Sequence, residues 1–384
     1  MGTRLSATQM LARLVAFPTV SSESNLPLID FVRDYLASWG VASTLVFNDE
    51  GTKANLFATV GPMAAGGVVL SGHTDVVPAL ESGWVNSPWQ LTERSGRLHG
   101  RGSCDMKGFV ALALAAVPDM LAADLKSPIH IALSYDEEIG CLGAPLLVGR
   151  MAESIPQPRA VFVGEPTRMN IVRGHKGMCA FEVRIRGHAV HSSRVDKGVS
   201  AVMTGARLVN WLHEVMEENR ARPSSDGFEP PYTTLHCGIF NGGTAGNIVA
   251  EDCRFIVDIR AIPREDPLDF RDRFVEFART HIEPAMHDVH PDTGIDVIYL
   301  SSIPGLKPEH DGTAEALARK LTGLASSDVV AYGTEAGIFQ QAGWSTVVIG
   351  PGDIAQAHLA NEYIEVEQMV EGERFLRRLI SELS

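Results

Sequence analysis

The chain has 384 residues, enough for two domains at ~100 to 200 residues each. Its 45% hydrophobic and 21% charged residues are those of a folded soluble protein, which excludes disordered and fibrous classes. A formal net charge of -14 argues against nucleic acid or an anionic membrane as partner, and it suits a chain that devotes carboxylates to metal ions.

Five cysteines, Cys104, Cys141, Cys179, Cys237 and Cys253, are scattered and never form a C-x-x-C pair. That spacing excludes a disulfide scaffold and a zinc knuckle and predicts a reducing cytoplasm. The longest apolar run, 109–117, is far too short to span a membrane.

In chain order, a helix is predicted from Ser6, as N-cap with Gln9 three residues on, to Phe17 before Pro18. A second follows over 27–39 and stops at Gly40. Short β-rich runs at 43–48, 55–60 and 67–71, a helix over 107–123, a strand at 129–135, a helix near 143–152 and a strand at 160–163 alternate as α/β units do. From about Arg173 the pattern changes. Residues 180–186 alternate apolar and polar, followed by an amphipathic helix (201–218), strands at 233–240 and 252–261, a helix at 267–282 and a strand at 295–300. After Pro304 the α/β alternation resumes with a helix from Thr313, apolar Val329-Val330, a strand at 346–349 and a closing helix from Glu365. The expected organisation is one α/β domain, 1–173 and 303–384, interrupted by an α+β module at 174–302.

Candidate chemistry falls at element ends. His73-Thr74-Asp75 follows the apolar Val68-Val69-Leu70, and a carboxylate beside a histidine can accept its second ring N–H when the first binds a metal. Asp105 lies in the glycine-shaped Gly100-Arg101-Gly102-Ser103-Cys104-Asp105-Met106-Lys107-Gly108; Glu137 and Glu138 end a strand; Glu165 follows another; His358 lies in Ala357-His358-Leu359-Ala360-Asn361-Glu362. Each alone has an ordinary reading as a cap, a solvated pair or a loop residue. Together they would converge on the carboxyl ends of one sheet, where α/β proteins bind ligands. Two divalent ions sharing one carboxylate need such a set, and a hydrolase needs a further, unligated carboxylate as base; adjacent Glu137 and Glu138 can divide those roles. A nicotinamide enzyme fits poorly, because no Gly-x-Gly-x-x-Gly follows the early strands.

In order and spacing these five motifs, with Gly164-Glu165-Pro166-Thr167 as the fourth, resemble the di-zinc metallopeptidase family of acetylornithine deacetylase, succinyl-diaminopimelate desuccinylase, aminoacylase and glutamate carboxypeptidase. The resemblance implies a zinc-peptidase-like α/β catalytic domain with a central twisted mixed sheet, and an inserted lid, or dimerisation, domain with an antiparallel sheet and two helices. It implies two divalent ions, zinc with cobalt or manganese able to substitute: one on His73 and Glu165, the other on Glu138 and His358, with Asp105 bridging. Asp75 then orients His73, and Glu137 is the general base on a metal-bridging water. The lid implies a homodimer in which His191 of Gly187-His188-Ala189-Val190-His191 reaches the partner's site, with His188 as the competing residue. Asn247 and Arg260 match substrate contacts.

Within the family, Phe17-Pro18-Thr19-Val20-Ser21, Gly174-His175-Lys176-Gly177, Gly333-Thr334-Glu335-Ala336 and Gln356-Ala357-His358 are similar to acetylornithine deacetylases. Glu335, placed at the far end of the pocket, would pair with the ornithine ammonium and repel a diacid. The expected reaction is N2-acetyl-L-ornithine to L-ornithine and acetate, a step of arginine biosynthesis. The alternatives are a succinyl-diaminopimelate desuccinylase, another N-acyl-amino-acid deacylase or dipeptidase, and, in a different class, a binding homologue without catalysis.

Overall fold

The computed structural model describes residues 2–80, 82–224 and 226–384. The chain divides into two compact units. One comprises the residues up to Gly174 with Leu306–Val329 and Thr334–Ser384, the other His175–Gly305 with Val330–Gly333. The insertion expected over 174–302 thus runs on to Gly305, and a second short excursion at Val330–Gly333 joins it.

The first unit is built on an eight-stranded mixed sheet in the order Ser43–Phe47, Ala54–Val60, Ile129–Ser134, Val68–His73, Ala160–Val163, Thr346–Val348, Val172–His175 and Asp328–Val330. The four strands from Ile129–Ser134 to Thr346–Val348 run parallel, with antiparallel neighbours on either side. Parallel strands need both faces covered, and every residue of Val68–His73, Ile129–Ser134 and Ala160–Val163 is buried. Alternation along Val68–His73 shows how the covering is arranged. Gly72 turns its Cα to Met106 and Val110 at the helix Lys107–Ala115, whereas Ser71 bonds Glu335 at the start of the helix Ala336–Gln341.

The first helix, Ala7–Val15, carries the expected cap: Gln9 N–H donates to Ser6 Oγ (3.2 Å) and Ser6 N–H to Gln9 Oε1 (2.9 Å). The single helix expected over 107–123 is two, Lys107–Ala115 and Val117–Ala122. Pro118 is the physical reason, since it has no N–H for the carbonyl of Leu114 and its ring crowds that carbonyl. Three strands of three residues each, Thr92–Arg94, Arg97–His99 and Tyr363–Glu365, form a small antiparallel sheet that the sequence pattern is too short to reveal.

The second unit is a four-stranded antiparallel sheet in the order Thr234–Gly242, Asp252–Ala261, Gly177–Arg186 and Gly294–Ile303. Phe181, Val183, Phe255 and Val257 point to one face, where Leu208 of the helix Ala201–Arg220 and Phe274 of the helix Pro267–Phe277 join them in one core. Among the described residues no helix is long and apolar enough to cross a membrane.

Candidate metal centre

Strand register assembles the site. Ser71 lies opposite Val163 and His73 opposite Ser134, so Glu165 is level with His73 and the Asp136-Glu137-Glu138 turn begins two residues beyond it. Asp136 makes that turn with a left-handed φ of 56°, its carboxylate held by Lys53 at 2.5 Å. The loop before the helix Lys107–Ala115 brings Asp105 to the same edge. It turns at Gly102 (φ +78°), where a Cβ would sit 2.6 Å from Val76 Cγ1.

Asp105 lies between the two histidines. Its Oδ1 is 3.1 Å from His73 Nε2 and its Oδ2 is 3.3 Å from His358 Nε2. Glu165 Oε1 is 3.8 Å from His73 Nε2, and Glu138 Oε2 is 3.0 Å from His358 Nε2. His73, Asp105 and Glu138 present ligand atoms within 4.8 Å of one another, and so do His73, Glu137 and Glu165. His73, Asp105 and Glu165 are buried, Glu137 and Glu138 are partly buried, and the His358 side chain is half-exposed.

The electrostatics call for cations. Burial pushes Glu137 up to about 8, with Glu138 and Asp105 adding repulsion. Burial also raises Glu138, and it raises Glu165 far above the ordinary carboxylate range with Asp105 reinforcing it. Hydrogen bonds that His358 donates to the Asp105 and Glu138 carboxylates carry it up to about 10. Burial opposes the His73 imidazolium, yet Asp105 and Asp75 outweigh it and hold that group well above its usual value. Asp105 is drawn down despite its own burial, because both histidines donate to it. Glu165 Oε1 is buried with no hydrogen-bond partner among the described residues. A donor set of imidazoles and carboxylates with surplus negative charge and an orphaned oxygen fits two divalent ions.

Asp75 departs from expectation only in which of its atoms is nearest His73, since main chain and carboxylate both face that ring. The acceptor for His73 Nδ1–H is the Asp75 backbone carbonyl at 2.9 Å, with the nearer carboxylate oxygen at 3.5 Å. The carboxylate accepts the peptide N–H of Glu137 (3.1 Å), the peptide N–H of Glu138 (3.2 Å) and the Ser21 hydroxyl (2.7 Å). It therefore fixes the turn that presents both glutamates. Glu335 also differs from expectation. It is fully buried, with Ser71 Oγ donating to one oxygen (2.6 Å) and Ser134 Oγ to the other (2.7 Å), so it has no exposed face on which to receive a substrate ammonium.

In the second unit, His191 is exposed. Its Nδ1 accepts Ser193 N–H (3.2 Å), which leaves Nε2 to carry the proton. Asn247 lies beside it, its carbonyl accepting Ser192 N–H at 2.9 Å. The alternative, His188, instead stacks on His290 at 3.8 Å between ring centroids. Arg260 is not brought to this pair. It ends the strand Asp252–Ala261, eight residues or roughly 26 Å from the Asp252 end that receives the Asn247 loop, and its Nε donates to Asp258 (3.0 Å).

Three site residues escaped the sequence reading. Ser21 bonds Asp75 as described, and the Cys141 thiol donates to Glu137 Oε1 at 3.4 Å. Glu362 is 1% exposed and accepts from Cys104 N (2.9 Å) and Asp105 N (3.1 Å) on Oε1, and from Gly102 N (3.0 Å) and Arg101 (2.7 Å) on Oε2. Ser21 and Glu362 stood inside quoted motifs without a role of their own, and Cys141 was read only as a scattered cysteine.

Residues 69–382 match the profile of Peptidase family M20/M25/M40. The chain is 35% identical to an acetylornithine deacetylase of Myxococcus xanthus over 97% of this chain and 96% of that one. It is 32% identical to an acetylornithine deacetylase of Pasteurella multocida over 98% of each. Among solved structures it resembles the M20 family metallo-carboxypeptidase Sso-CP2 from Sulfolobus solfataricus (TM-score 0.77, 17% identity, 98% of each chain). It also resembles human carnosine dipeptidase 1 (TM-score 0.72, 20% identity, 98% of this chain and 96% of that one). At these identities the two structures speak to the fold.

Proposed function

The chain belongs to peptidase family M20/M25/M40 and is a metal-dependent amide hydrolase; from that premise we propose that it converts N2-acetyl-L-ornithine to L-ornithine and acetate, in arginine biosynthesis. The near full-length similarity to acetylornithine deacetylases supports this substrate. One observation carries the hydrolytic reading: adjacent glutamates diverge, Glu138 against His358 and Glu137 among His73 and Glu165, with no imidazole ion-paired to Glu137 among the described residues. Glu137 is thus the carboxylate free to act on water.

His73 and Glu165 would hold one divalent ion, Glu138 and His358 the other, with Asp105 shared; zinc is the proposed metal, cobalt or manganese able to replace it. Bound there, the ions would lower the pKa of a water and polarise the acyl carbonyl. Glu137 removes the proton from the attacking water and returns it to the departing amine. His191, with Nε2 protonated, donates to the developing oxyanion, and Asn247 assists it. The separation of Arg260 from His191 supports a site shared between two copies, because one copy cannot bring both to one amino-acid-sized substrate. In this reading Arg260 binds the substrate carboxylate in one protomer, while His191 and Asn247 come from the other. The five free cysteines fit a reducing cytoplasm as the place of action.

Burial of Glu335 removes the charge argument that set ornithine apart from a diacid, which leaves N-succinyl-diaminopimelate as the second reading. Purified enzyme assayed on N-acetyl-ornithine, N-succinyl-diaminopimelate, N-acetyl-citrulline and dipeptides decides between them. Glu137→Gln should abolish turnover with both metals still bound, and an active variant would remove Glu137 from its role. Inactive His191→Ala and Glu137→Ala chains, mixed and exchanged, should regain part of the activity; confirmed exchange without recovery counts against the shared site.

A further inference from the structure

Resting on the two-metal reading, we propose that Glu362 is the positioning residue of the centre, a buried carboxylate that locks the Asp105 loop and the His358 loop into one rigid piece. A carboxylate shared by two ions must hold both oxygens in place, and Asp105 sits on an irregular loop rather than on a strand or helix. Such a loop needs an external acceptor for its peptide N–H groups. Glu362 supplies it. Its oxygens take the N–H groups of Gly102, Cys104 and Asp105 itself, and Arg101 neutralises the charge from the same loop.

The same residue stands four positions after His358, on the segment that presents the other shared-site ligand. That segment has little support of its own, since His358 and Asn361 both hold left-handed φ angles of 62° and 60°. It is laced to the Asp105 side instead. Gly100 N–H donates to the Glu362 carbonyl (3.0 Å), and Asn361 takes Val85 N–H (2.7 Å) while donating to the Gly83 carbonyl (2.8 Å). Displacing Glu362 therefore moves Asp105 and His358 together. Its four donors leave neither oxygen free for a metal, so the residue acts through Asp105 and touches no reacting atom.

The test is cobalt binding to metal-stripped enzyme, followed by visible absorption, with activity measured in parallel. Glu362→Gln keeps the shape but sets an NH2 group against peptide N–H donors, and it should weaken cobalt binding 10- to 100-fold and change the cobalt spectrum. Arg101→Met leaves the three peptide contacts and should weaken binding less, and it carries the test if Glu362→Gln does not fold. Wild-type cobalt affinity and spectrum in Glu362→Gln, or in Arg101→Met if only that variant folds, would overturn the proposal and leave the hydrolase reading intact. Wild-type enzyme that binds two cobalt ions yet hydrolyses no N-acyl amino acid would overturn the hydrolase reading and leave this one standing.

Discussion

Asp75→Asn separates two accounts of a deeply buried carboxylate in the centre. In the structure its oxygens receive the Glu137 N–H, the Glu138 N–H and the Ser21 hydroxyl, while His73 leans on the Asp75 main chain. An asparagine amide has one accepting oxygen. If that oxygen faces Glu138 and Ser21, an NH2 group confronts the Glu137 N–H; if it is flipped, the Glu138 N–H is confronted instead. Either way one charge-assisted bond, worth ~1.5 to 3 kcal/mol, becomes a donor–donor contact. A displacement of the turn costing about 2.7 kcal/mol in the transition state is roughly a 100-fold fall in kcat. The His73 imidazole keeps its carbonyl acceptor, so metal content should stay at the wild-type level. Acetate release from N-acetyl-ornithine, with elemental analysis of the same samples, reads both quantities. A variant that loses the His73-bound metal, or keeps kcat within threefold of wild type, would refute the reasoning.

Two further outcomes are expected. Glu335→Gln should leave KM for the cationic substrate within twofold, because the amide still bridges Ser71 and Ser134; a tenfold rise for N-acetyl-ornithine, absent for uncharged N-acetyl amino acids, would return Glu335 to the substrate. His130, fully buried with Nδ1 2.9 Å from Thr59 Oγ1, has its pKa lowered by burial from 6.5 to about 4. The unfolded chain therefore takes up a proton first, so this contribution to stability is complete above pH 6.5 and is lost as pH falls towards 4. At ~1.36 kcal/mol per pH unit the loss is about 3 kcal/mol. In urea melts His130→Asn should be less stable throughout but should lose less between those pH values, and parallel curves would contradict it.

The candidate ligands His73 and Glu165 were legible because each follows an apolar strand whose end the sequence marks: His73 after Val68-Val69-Leu70, Glu165 after the strand 160–163. The surroundings were not. Asp75 works on peptide N–H groups, which carry no residue-specific mark in a sequence. Glu335 is anchored by Ser71 from 264 residues away, so only the assembled sheet reveals that its carboxylate lies beneath the strands rather than at the pocket. Pro118 stood in plain view inside an apolar run, and helical periodicity masked the break it makes. The insertion's strands read well because Gly177–Arg186 alternates buried and exposed positions, while the three-residue strands around His99 are shorter than any period.

The insertion also sets an order of events during synthesis. The first unit takes its strands Asp328–Val330 and Thr346–Val348, the candidate ligand His358 and the core residues Phe375 and Leu379 from chain made after His175–Gly305. A ribosome thus releases a contiguous stretch, His175–Gly305, that can collapse on its own core while the sheet ahead of it still lacks two strands and the helices Thr313–Thr322, Ala336–Gln341 and Val366–Leu383. In the proposed two-metal reading, the second ion can be captured only once His358 has emerged. Premature termination anywhere beyond the insertion would yield a chain with one well-formed unit and one exposing the apolar strands around Leu70 and Phe162, a natural substrate for chaperones and proteases.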